Sequence, residues 1–218
     1  MSMKKACKPL INFRQLYDRF DVPMTEVDCG KYCAPHNPSG VPFCCDICHA
    51  VPAVYLEEWE YLHAHTDLWH LWRGDECPQD PVNPAELRQD LPEHMLLAGC
   101  KGTAHCRREF RALSCRQFPF YPYITSDGDF IGLGYDWFFE KTCWVISHLD
   151  WVTPSYRQAF VHVYDDLFAI LPDDLESYAI YSALAREYFS TKRRRIPLLH
   201  RNGRYALISP GSERIYYI

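Results

Sequence analysis

The chain has 218 residues, 48% of them apolar, and a formal net charge of −5. That is enough chain to bury a core without covalent staples. The acidic balance argues against general phosphate-backbone binding, which needs a basic face, so no nucleic-acid partner is expected. No run of about eighteen apolar residues occurs, so no membrane span is expected either; a protein partner is left open.

Lys4 and Lys5 are followed by Lys8, Asn12, Arg14 and Gln15 rather than by an apolar run. No signal peptide is read there, and the expected location is cytoplasmic, with thiols reduced. Residues 10–20 carry apolar residues at helical spacing. Residues 21–50 hold Pro23, Gly30, Pro35, Pro38, Gly40 and Pro42 among five cysteines, which forbids long regular structure. Residues 53–73 read as one helix with an apolar stripe of Tyr55, Leu56, Trp59, Leu62, Leu68, Trp69 and Trp72, stopped by Gly74. Residues 75–92 read as loop, with at most a turn of helix near 84–87. A Cys-rich stretch from Cys100 to Cys115 follows.

Residues 117–139 read as strands around an Asp127-Gly128 hairpin. Residues 155–170 and 173–190 read as helices, broken at Leu171-Pro172, with Asp173 or Asp174 as the second helix's N-cap. Strands at 196–200, 204–208 and 213–218, turning at Asn202-Gly203 and Pro210-Gly211, predict a small meander. The expected fold is a single α+β domain. A Cys-rich, loop-dominated metal region (20–150) carries C-terminal helices and a β-meander (151–218) packed on it.

Eleven cysteines are the strongest signal, and their number is odd, so a full disulfide scheme leaves one unpaired. Short loops bring thiolates together at low entropic cost. Cys29-x3-Cys33 and Cys45-x2-Cys48 have such loops, and Cys100, Cys106 and Cys115 are looser but local. Vicinal Cys44 and Cys45 point to opposite sides of an extended backbone, so they tend to serve two different sites.

Cys106, Arg111 and Cys115-Arg116-x-Phe118-Pro119 resemble the second half of the CxxCxxCC (YkgJ-like) cysteine-cluster family of zinc- or iron-chelating proteins. Cys29, Cys33 and the Cys44-Cys45 pair resemble that family's namesake cluster. Cys100 and Thr142-Cys143 fall where members place further cysteines. The first cluster is stretched here by about ten residues, and Ala112 stands where the family has Pro. The resemblance covers residues 29–143 and implies eight thiolates (Cys29, Cys33, Cys44, Cys45, Cys100, Cys106, Cys115 and Cys143) around a bound metal. Sulfur-only ligation suits an iron–sulfur cluster and zinc equally, ahead of a lone iron.

Four thiolates on a divalent cation leave a charge of about −2, which Arg111 and Arg116 could offset by hydrogen bonding to sulfur; Arg116 is the preferred candidate, against ordinary salt bridging. Cys48 is an open case, and Cys7 and Cys77 are read as non-ligands. His63, His65 and His70 lack an HExxH pattern and read as helix-surface residues, while His36, His49 and His105 lie beside cysteines. Asp165-Asp166 and Asp173-Asp174 read as helix-end acids rather than a catalytic pair. The expected function is a metal-binding protein. The alternative is a metal-dependent or iron–sulfur enzyme acting on a peptide or small molecule.

Overall fold

Two antiparallel sheets organise the computed structural model, which describes residues 11–77, 88 and 91–218. Cys7 and the turn expected near 84–87 lie outside these residues. Helix α1 (Phe13–Arg19) opens at Asn12, whose side chain accepts from the Gln15 amide, and buries Phe13, Leu16 and Tyr17. Helix α2 (Gly30–Cys33) is a single turn. Strand β1 (Ala53–Tyr55) runs into α3 (Leu56–His65), and β2 (Trp69–Leu71) follows. Strand β3 (Met95–Cys100) inserts between them to give the order β1-β3-β2.

Residues 53–73 are therefore not the one helix that their periodicity predicts. Thr66 takes extended geometry at φ −152° and ψ 153°, and its hydroxyl oxygen accepts from the Leu68 amide and from Arg107. Beyond it, β2 pairs with β3 from Trp69↔Cys100 to Leu71↔Ala98. Ala53–Tyr55 pair with the other edge of β3. Long-range pairing overrides a local helical pattern when a partner strand supplies the hydrogen bonds. Here the partner is Met95–Cys100, a short apolar run to which the sequence reading assigns no element.

The second sheet has the order β4-β5-β6-β7-β8, built from Phe120–Ile124, Phe130–Tyr135, Ile196–His200, Tyr205–Ile208 and Ile215–Tyr217. The hairpin expected at Asp127-Gly128 forms, with Gly128 at φ +88°. The C-terminal meander also forms, but it is not separate: β6 pairs with β5 through Gly132↔His200 and Leu133↔Leu199. Gly132 permits that approach, because a Cβ there would lie 2.4 Å from the Leu199 carbonyl oxygen. The sheet thus takes strands from both sides of residue 150, within one α+β domain.

Helix α4 (Leu113–Gln117) precedes β4, and α5 (Pro154–Ile170) and α6 (Pro172–Thr191) lie between β5 and β6 in sequence. Thr153 caps α5 by accepting from the Tyr156 amide. Leu171, not an aspartate, holds the α6 N-cap position. Pro172 takes the first turn together with Asp173 and Asp174, where carboxylates favour the helix dipole. Asp165 and Asp166 lie within α5 and pair with Arg201 (2.9 Å) and Arg19. Aromatic side chains from α1 and α5 fill the core, with the Phe20 ring 5.3 Å from that of Tyr156.

Candidate metal centre

The eight cysteines come from several short elements. Cys29 caps α2 and Cys33 ends it, so the turn carries both on adjoining positions of one face. A Cβ on Gly30 would meet Pro42 at 2.9 Å, so glycine there lets α2 close on the turn holding Cys44 and Cys45. That turn is fixed by the Cys45 amide bonding the Pro42 carbonyl at 2.8 Å. Asp46 then gathers the loop, accepting from Asn37 (2.9 Å), Ser39 (2.6 Å) and the Cys48 amide (3.0 Å). Burial opposes its ionisation, but those hydrogen bonds prevail and hold its carboxyl below the usual range. Cys100 ends β3, Cys106 follows a turn at Thr103–His105, Cys115 sits in α4, and Cys143 precedes the 144–151 turns.

All eight line one cavity of about 480 Å3. Burial raises most of these thiols above their ordinary value, and the next contributions reveal who neighbours whom. Cys143 is pushed up to about 12 by burial, with Cys29 and Cys33 adding to it. Cys115 is raised by burial, then by Cys100, Cys45, Glu58 and Cys106. The sulfurs of Cys44 and Cys45 are 3.9 Å apart and share a hydrogen bond that raises Cys44 and lowers Cys45. Cys44 also feels Cys143 and Cys29, whereas Cys100 feels Cys45 and Cys106. The neighbours sort into Cys29, Cys33, Cys44 and Cys143 on one side and Cys45, Cys100, Cys106 and Cys115 on the other. The vicinal pair is divided between them, although Cys33 also feels Cys45. Among the described residues, no three cysteine, histidine or acidic side chains are already drawn in as a bound ion would draw them.

No family model, curated protein or solved structure matches this chain.

The two arginines differ. Arg111 donates from Nε to the Cys106 sulfur at 3.2 Å, the charge-assisted contact expected beside a thiolate. Arg116, the candidate preferred from sequence for that contact, sends its guanidinium elsewhere. It donates to the carbonyls of Arg111, Arg108 and Glu109 at 2.9–3.1 Å and of Tyr17 and Phe20 at 3.4 Å, with its charge 4.4 Å over the Tyr17 ring. It fastens the loop carrying Cys106 and Arg111 to α1. Trp69 adds a bond from its indole N–H to the Phe110 carbonyl at 2.9 Å.

Cys48 and Cys77 are joined by a disulfide with their Cα atoms 5.1 Å apart, where the sequence reading expects reduced thiols throughout. His36, His49 and His105 do not line the cavity. His63 stacks on Trp59, the His65 ring bonds the Tyr61 carbonyl, and His70 meets Glu76 at 3.0 Å. Tyr32 stacks on Trp144 at 4.5 Å, tying the Cys29–Cys33 turn to the segment after Cys143. Sequence reasoning passed over Glu58, which is fully buried beneath α4. It accepts from the Tyr17 hydroxyl (2.5 Å), the Leu113 amide (2.6 Å) and the Tyr55 amide (3.2 Å). A glutamate read as one of several on a helix gives no signal of burial until its three donors converge.

Proposed function

We propose that this chain is a metal-binding protein whose eight thiolates hold an iron–sulfur cluster or zinc, four and four. The observation that carries the reading is the shared cavity, whose wall brings together cysteines as far apart as Cys29 and Cys143. The donor set fits: sulfur alone, in groups of four, is the shell that both zinc and iron–sulfur clusters take. Arg111 beside Cys106 supplies positive charge where thiolates would leave an excess of negative charge. Bound, such a group would supply a structural cross-link in the case of zinc, or an electron carrier in the case of iron–sulfur. The chain's own residues hold the thiols in place, with Trp144 in the cavity wall and Tyr32 stacked on it. Eight free thiols suit a reducing cytoplasm, whereas the Cys48–Cys77 disulfide suits an oxidising compartment; the resemblance to the YkgJ-like family supports metal binding in either.

A second reading, an enzyme working at that metal, is favoured by a neighbouring cavity that shares Cys44 and Cys115 with the first. The deciding experiment is anaerobic purification with metal and acid-labile sulfide analysis and an absorption spectrum. Brown protein with sulfide means iron–sulfur, and colourless protein with stoichiometric zinc means a structural site. Metal-free protein that folds unchanged and takes up neither would end the proposal.

A further inference from the structure

Beside the cysteine cavity lies a second one of about 330 Å3. It is large enough for a small molecule. Cys44, Ala50, Pro52, Cys115, Phe118 and Pro119 form the wall between the two. Tyrosines 55, 121, 178 and 181 line it, with two acids, Asp136 and Asp174, and among the described residues no lysine, arginine or histidine.

The two acids are not equivalent. Asp174 is already engaged, accepting from the Tyr55 hydroxyl and from His94 at 2.5 Å. Asp136 accepts from the Phe138 amide at 3.1 Å and from Tyr181, and among the described residues no cation pairs with it. Asp136 is half-buried, and a cation seated in the cavity would offset the cost of that partial burial.

A second, independent observation sits on the same wall. Tyr121 is 4% exposed, yet its hydroxyl has no hydrogen-bond partner, and the buried Ser114 hydroxyl has none either. Orphaned buried hydroxyls are uncommon and ask for a missing partner. Tyr121 is held in place by Gly134, where a Cβ would lie 2.8 Å from its ring and 3.0 Å from its hydroxyl oxygen. Asp136 and Tyr121 line the same cavity. The unmatched acid and the unmatched hydroxyl therefore belong to one site, among ring faces that attract cations.

We propose that this cavity binds a small organic ammonium ion, its N–H groups donating to the Asp136 carboxylate and to the Tyr121 and Ser114 hydroxyl oxygens. The tyrosine rings would enclose the alkyl part. The inference does not depend on what the thiols hold.

The test uses the full chain as purified, with n-butylammonium, butan-1-ol and butyrate as probes in calorimetry and thermal melting. n-Butylammonium should bind saturably and raise the melting temperature, and the neutral and anionic probes should do neither. Asp136→Asn keeps a side chain able to cap the turn at Phe138 and should weaken n-butylammonium by about ten-fold or more. Tyr121→Phe has no internal hydrogen bond to lose, so it should melt no lower than the parent while binding the amine about three-fold more weakly. Equal binding of butan-1-ol, no saturable binding of the amine, or unchanged affinity in both variants would overturn the proposal. Metal content read on the same samples scores the cysteine site separately.

Discussion

Arg116 and Glu58 show how much of the geometry around the cysteine cavity depends on buried polar residues. The Arg116 side chain is 5% exposed and serves carbonyls from two segments. Replacing it with Met should strand those oxygens and cost about 3 kcal/mol by urea denaturation, with Lys rescuing little because a point charge cannot reach them all. Arg111→Gln should leave stability nearly unchanged and instead weaken metal retention against a chelator. Glu58 has a pH signature. Burial pushes its carboxyl up to about 7, against three hydrogen bonds and nearby Arg116 that favour the carboxylate. A raised carboxyl gives stability that is fully present below the unfolded value near 4.5 and is lost as pH rises through about 7. The groups facing it are Tyr17 from α1, Tyr55 at the start of α3, and Arg116 and Cys115 from α4. Glu58→Gln should flatten that fall, a difference of about 3 kcal/mol between pH 5 and pH 8 relative to the parent. An unchanged slope would mean that Glu58 stays ionised throughout.

Among the elements, a local signal suffices where the partner is also local. Helices α5 and α6 start within a residue of the expected positions, because Pro154 and Pro172 announce their first turns. The C-terminal hairpin at Asn202-Gly203 is legible for the same reason. What was not legible needed a partner far away in sequence. Strands β1 and β2 form only because β3 lies between them, and β6 joins β5 only because Gly132 lacks a side chain. Gly132→Ala should therefore cost about 2 kcal/mol or more, since both its φ of +150° and the Leu199 carbonyl oppose a methyl. The Cys48–Cys77 disulfide closes a loop of 29 residues, and Cys48→Ser with Cys77→Ser should cost about 3 kcal/mol. The proposed metal content should be untouched by that change, and a loss of metal would place the pair among the ligands.

Over the whole molecule, the cysteine cavity and the five-stranded sheet depend on different forces. The sheet and α5–α6 are held by buried aromatic and aliphatic side chains, so they have a core of their own. The loops at 21–50 and 100–116 have short turns and few ladders, and metal binding would contribute ~10–16 kcal/mol to their order. Chelation should raise amide exchange there first, and less in β4 and β5, which lie inside the 29–143 span but belong to the larger sheet. Uniform exchange across the chain would show instead that the metal holds the entire fold. That these eight cysteines line one cavity agrees with the set that the family resemblance implies. Their sorting into two groups was foreshadowed only by the vicinal pair, since nothing in the chain order says that Cys143 joins Cys29 while Cys45 joins Cys100.

That one peptide link between Cys44 and Cys45 has a consequence for uptake. Under the proposed four-and-four ligation, two metal centres held by neighbouring residues would share a backbone, so seating the first would freeze torsions that the second would otherwise have to order itself. Filling should then be cooperative, with a Hill coefficient above one in a metal titration. Inserting a glycine between the two residues should split it into two independent steps.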